Sequence, residues 1–130
     1  MLTQSATYAL RAMVFLAKQE PEKPVLSQTI AEKMEIPRQY LSRILNTLVR
    51  NELLSSVRGS KGGFMLAKPA GEIHLRAVVT PFMDLSSFRK CFLGLYRCQE
   101  DEMCRIQDKW KPVIEGFERI LDETTIDQVL

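Results

Sequence analysis

The chain has 130 residues, of which 45% are hydrophobic and 26% charged, with six glycines and six prolines. This is the make-up of one globular domain, or a small domain with an appendage, and it excludes disordered and fibrous classes. A net charge of +2 hides an uneven layout: residues 1–69 hold ten Lys and Arg against five Asp and Glu, and residues 70–130 hold eight against eleven.

The longest apolar runs, such as Ala12 to Ala17, fall far short of the roughly 18 residues of a membrane-spanning helix, and no secretory pattern precedes them. A cytoplasmic chain with no membrane contact is expected.

The first predicted helix carries Ala6, Leu10, Met13 and Ala17 at helical spacing, widened by Tyr8, Ala9, Val14 and Leu16. Pro21 and Pro24 end it. Ser27 is placed to cap a second helix from about Gln28 to Met34 that buries Ile30 and Ala31. After the break Glu35-Ile36-Pro37, with Pro37 suited to the first helical position, a third helix buries Leu41, Ile44, Leu45, Leu48 and Val49. Its opposite side carries Arg38, Gln39, Ser42, Arg43 and Asn46.

Two helices joined by so short a turn, the second basic on its free face, read as a helix-turn-helix. Leu53 to Val57 and Gly63 to Ala67 are strand-like runs flanking the basic tip Arg58-Gly59-Ser60-Lys61-Gly62. The fold class expected is therefore mainly α: a winged helix-turn-helix with a two-stranded wing and a long C-terminal helix. The third helix suits a major groove, and Arg58 at the tip suits a minor groove. Ser27, Gln28, Arg38, Gln39, Tyr40, Ser42, Arg43, Arg58, Gly59, Ser60 and Lys61 form the candidate DNA surface. The tip lacks the spacing and the Lys-Ser/Thr ending of a phosphate-binding P-loop. A lone histidine and no convergent acid, base and nucleophile speak against an enzyme.

Beyond the joint at Pro69 to Gly71, a short strand from Ile73 to Leu75 and a helical turn are expected, with Phe82 and Met83 packing back. The last helix, from about 104 to 122, carries Ile106, Trp110, Val113, Ile114, Phe117, Ile120 and Leu121, and Pro112 should kink or restart it. This stripe predicts a two-fold homodimer with Ile106, Trp110, Val113, Ile114, Phe117 and Leu121 at the interface. Packing onto the chain's own helices is the competing use. The expected division is a DNA-binding domain over 1–80 and a sensor and dimerisation segment over 81–130.

Cys91, Cys98 and Cys104 are the only cysteines. Three thiols cannot all pair, and a cytoplasmic disulfide is disfavoured. Thiolates held in one loop suit a soft metal site or an iron–sulfur cluster. Zinc typically wants closer cysteine pairs and a fourth ligand. Spacing alone leaves buried or incidental thiols equally open.

Tyr8-Ala-Leu-Arg-Ala-Met13, Ile36-Pro-Arg-Gln-Tyr-Leu41 and Ser56-Val-Arg-Gly-Ser-Lys-Gly-Gly-Phe64 resemble the Rrf-two family of bacterial winged-helix transcription regulators, as do Leu66 to Pro69 and Leu121 to Leu130. The resemblance spans essentially the whole chain. It implies a homodimer on a roughly palindromic double-stranded operator, with Gln39, Ser42 and Arg43 choosing bases and the C-terminal helices pairing across the two-fold axis. Cluster-binding members carry three cysteines in this same loop, which implies that Cys91, Cys98 and Cys104 hold an iron–sulfur cluster, of two-iron or four-iron type. Some members add a His three residues after the last cysteine, where this chain has Gln107, and others an acidic residue before the N-terminal Tyr, where it has Thr7. Glu100, Asp101, Glu102, Asp108, a partner-subunit group, water or a small thiol remain candidates for the fourth ligand, and His74 matches no ligand position. The alternative function is a cluster-free regulator using the cysteines as a thiol redox sensor.

Overall fold

In the computed structural model, which describes residues 2–86, 92 and 105–129, the first helix, α1 (Gln4–Ala17), starts just ahead of its apolar stripe. Thr3 is its cap: the hydroxyl accepts from the Ala6 N–H at 3.1 Å. Ala6, Ala9, Ala12, Met13 and Leu16 form its buried face. The small alanines let other helices approach closely.

Helix α2 (Ser27–Met34) follows. Ser27 is the first helical residue rather than its cap, and no side chain caps this end. Leu26 holds the cap position because Val25 is tied to the wing, which fixes where the helix turns in.

Helix α3 (Arg38–Arg50) begins one residue after Pro37, which stands at the cap rather than at the first helical position. Leu41, Ile44, Leu45 and Leu48 are buried, each stabilising the fold by about 1.5–3 kcal/mol relative to exposure. Both α2 and α3 end on left-handed glutamates, Glu35 (φ 54°) and Glu52 (φ 60°). The Ile36 N–H reaches back to the Ala31 carbonyl at 3.0 Å, and the Leu53 N–H to the Leu48 carbonyl at 3.0 Å. These are Schellman closures, a geometry usually given to glycine.

Strands β1 (Leu54–Val57) and β2 (Gly63–Leu66) pair antiparallel, with Leu54 opposite Leu66 and Val57 opposite Gly63. Val25 adds a one-residue third edge: its N–H donates to the Phe64 carbonyl at 2.9 Å and its carbonyl accepts from the Phe64 N–H at 2.8 Å. The wing is thereby fastened to the start of α2.

The expected strand at Ile73–Leu75 is only a single bridge, His74 opposite Thr125. A 3-10 turn at Ala70–Glu72 precedes it and α4 (Leu75–Val79) follows at once, leaving no room for a ladder. Phe82 and Met83 pack against the core as expected.

Helix α5 (Gln107–Glu123) runs through Pro112 without a restart. Its end returns to the first half of the chain. The Leu75 N–H donates to the Thr124 carbonyl and the Ile126 N–H to the Ile73 carbonyl, both at 2.9 Å. Leu121 and Ile126 join the same core cluster as α1 and α3. Arg76 pairs through Nε and Nη2 with the Asp122 carboxylate, fastening α4 to α5. Among the described residues, no helix is long and apolar enough to cross a membrane.

Candidate nucleic-acid interface

The core sets which face of α3 is free. With Leu41, Ile44, Leu45 and Leu48 turned inward, Arg38, Gln39, Tyr40, Ser42, Arg43 and Asn46 are exposed. None of Arg38, Arg43, Arg58 or Lys61 forms an ion pair among the described residues. The α3 N-terminus has no side-chain cap and no acidic residue in its first turn, so it is open to a phosphate.

At the wing tip, Arg58, Gly59, Ser60 and Lys61 are all exposed. The Gly62 N–H donates to the Gly59 carbonyl at 2.9 Å, closing the turn. Gly62 has no room for a side chain, since a Cβ there would sit 2.2 Å from the Val57 carbonyl oxygen. The tip therefore presents a fixed loop.

Ser27 and Gln28 are exposed at the start of α2, where the Val25–Phe64 pairing brings that end to the wing. Gln28 donates to the Glu32 carboxylate at 3.2 Å, which draws its amide toward its own helix. Tyr40, 50% exposed, has most of its ring available to a partner. The sequence reading missed Val25 and Gly63 as the residues that fasten the wing. The Gly62-Gly63 pair was the available signal, since adjacent glycines at a strand start mark a close backbone approach.

Cys91, Cys98 and Cys104 lie outside the described residues, as do Glu100, Asp101 and Glu102. Phe92, next in sequence to Cys91, meets the Trp110 ring edge-on, with centroids 5.1 Å apart. The Trp110 indole N–H is buried and has no acceptor among the described residues.

Within the single chain the α5 stripe divides. Ile114 and Leu121 are buried within the single chain, and Phe117 packs partly against the core. Val113 and Ile120, 49% and 57% exposed, form the outward edge, and a Cβ built on Gly116 between them would meet open space. Periodicity shows that a face is apolar but not whose core covers it. Ile106 and Trp110 are half-buried at the start of the helix.

A helix-turn-helix with a basic free face and a basic wing at its side defines a winged-helix DNA-binding regulator. The chain matches the Rrf2 family, described as an iron-dependent transcriptional regulator, over residues 2–130, and it belongs to that family, the one its motifs resemble. It is a transcription regulator of the Rrf2 type and not an enzyme. The HTH-type transcriptional regulator IscR of Serratia proteamaculans is 32% identical over 129 residues, covering 99% of this chain and 78% of the relative. CymR, the global cysteine regulator of B. subtilis, shares the fold with a TM-score of 0.82 at 23% identity, over 99% of this chain and 95% of that structure. The oxidized form of Staphylococcus aureus CymR gives a TM-score of 0.76 at 26% identity, over 99% and 94% of the two chains.

Proposed function

We propose that this protein is an operator-binding dimer whose DNA affinity is set by an iron–sulfur cluster held by Cys91, Cys98 and Cys104. The observation that carries the DNA half is the pairing of an exposed, ion-pair-free α3 face with a basic wing tip fastened beside it. Gln39, Ser42 and Arg43 read bases in a major groove, while Arg38, Arg58 and Lys61 hold phosphate or a minor groove. Residues 1–80 supply this surface.

The cluster half is supported by the family's description as iron-dependent and by IscR among the relatives. One local feature supports it: the buried Trp110 indole N–H, which has no acceptor among the described residues, belongs to a ring in contact with Phe92, the residue that follows Cys91. Buried donors rarely lack acceptors, and cluster sulfurs accept hydrogen bonds. When bound, such a cluster supplies one-electron redox chemistry and reactivity toward oxygen or nitric oxide. Cys104 stands three residues before α5 begins at Gln107, so a change in how the thiolates are held acts on the start of that helix. At its far end the same helix is fastened to α4 through Arg76 and Asp122.

The dimer uses the outward edge of α5, with Val113 and Ile120 packing across the two-fold axis and Gly116 allowing close approach. A second reading, thiol oxidation without a cluster, is favoured by the likeness to the oxidized form of Staphylococcus aureus CymR. A colour test separates the two, because a clustered protein prepared without air is brown.

The DNA surface is tested with duplexes selected from a random pool. Arg58→Ala, Gln39→Ala and Arg43→Ala each weaken binding by about 1–3 kcal/mol, and the last two also change the selected sequence. Unchanged affinity in all three at moderate salt would overturn the assignment.

A further inference from the structure

A groove of about 590 Å³ lies on the flank of the molecule, lined by Asn51, Leu53, Lys68, His74, Arg76, Ala77, Thr80, Pro81 and Asp122. It is built from the end of α3, the exit of the wing, α4 and the end of α5. Its size falls within the ordinary range of small-molecule sites. Lys68 and His74 have no side-chain hydrogen bond or ion pair among the described residues. The one carboxylate in the lining, Asp122, is already engaged by Arg76. Two cations, Lys68 and Arg76, share the lining with that one carboxylate and with Leu53, Ala77 and Pro81, and Glu118 acts on Arg76 from outside it.

This surface is separate from the DNA face. Lys68 lies seven residues along the chain from Lys61, past the end of β2 at Leu66, and none of the candidate DNA-surface residues lines the groove.

We propose that the groove is a binding site for a small dianion of the phosphate-monoester kind, held by Lys68, His74 and Arg76. The ligand competes with Asp122 for the Arg76 guanidinium. That exchange is easy, because the Arg76–Asp122 pair is partly exposed, at 35% and 51%, and ion pairs of this kind contribute little to stability. The hydrogen bond from Arg76 holds the Asp122 carboxyl below its ordinary pKa, so Asp122 stays charged and remains a competitor at neutral pH. The Thr80 hydroxyl donates to the Arg76 backbone carbonyl at 2.6 Å, fixing the rim next to the guanidinium. A bound dianion would replace the α4–α5 ion pair with its own contacts, which gives a metabolite access to the helix that carries the proposed dimer edge. The site stands on the described residues alone and does not depend on the cluster.

The test is a titration of the full chain with inorganic phosphate and with phenyl phosphate, against sodium chloride at matched ionic strength, followed by NMR. Shifts centred on Asn51, Lys68, His74 and Arg76 are expected. Lys68→Gln, at an exposed position, should weaken binding about fivefold, the effect of one partly solvated charge pair. Asp122→Asn should tighten it about three- to tenfold by freeing Arg76, whereas a merely structural ion pair predicts no gain. Shifts confined to Arg38, Arg43, Arg58 and Lys61 would assign the anion to the DNA face and overturn the proposal. So would unchanged or weakened binding in Asp122→Asn.

Discussion

Replacing Gly63 by alanine tests how the wing is held. Gly63 has φ +140°, and a Cβ built there would lie 2.2 Å from the Val25 carbonyl oxygen, 2.4 Å from its carbon and 2.8 Å from the Leu26 nitrogen. All three neighbours are backbone, so no side chain can move aside. The methyl group must push Val25 away from β2, which removes the two Val25–Phe64 hydrogen bonds. Each such bond contributes about 0.5–1.5 kcal/mol net, and the unfavourable backbone angle adds about 1–3 kcal/mol. A loss of about 3 kcal/mol or more is expected in urea unfolding followed by circular dichroism. Gly59→Ala is the control, because Gly59 has φ +110° and nothing within 4 Å of the added carbon. It should show the backbone cost alone. Equal losses in the two variants would refute the argument that the α2–wing contact, rather than glycine's flexibility, makes Gly63 necessary.

Glu52→Gly, at the left-handed closure of α3, should leave the protein as stable or more stable by about 0.5–1 kcal/mol in the same urea experiment, since glycine adopts that angle without strain. Leu121→Ala should cost about 2–5 kcal/mol, because the side chain is 2% exposed in the single chain. Val113→Asp with Ile120→Asp should instead give folded monomers by analytical ultracentrifugation, and a dimer that survives both changes would place the interface elsewhere. Each of Cys91→Ala, Cys98→Ala and Cys104→Ala should lose the visible absorption of the anaerobic protein while keeping the helical circular dichroism, because the described core contains none of them. Gln107→His, which supplies the ligand other family members place there, should slow bleaching in air.

The parts of the fold most legible in the sequence are those whose pattern is local. The α3 face shows itself because Leu41, Ile44, Leu45 and Leu48 sit at helical steps opposite Arg38, Ser42 and Arg43. The wing shows itself because two short runs flank a glycine-rich basic tip. What escaped depends on contacts distant in sequence or on residues without a usual signature. The helix ends at Glu35 and Glu52 carry no glycine, so their left-handed angles leave no mark in the sequence. The single bridge from His74 to Thr125 joins segments fifty-one positions apart, and nothing in Ile73–Leu75 indicates that its partner is the C-terminal stretch. The α5 stripe was read correctly as apolar. Its division into an inner edge at Ile114 and Leu121 and an outer edge at Val113 and Ile120 required the packed structure. The groove side chains Lys68, His74 and Arg76 converge only after α4 folds beside the wing exit.

The most direct measurement of the central claim is operator binding by the anaerobically purified protein, with iron and sulfide assayed on the same sample, before and after chelation removes the cluster. The account predicts iron and sulfide in the protein as purified and a changed operator affinity once they are gone, with the dimer intact. A protein without iron and sulfide, whose DNA binding is also unchanged when Cys91, Cys98 and Cys104 are each replaced by alanine, would contradict it.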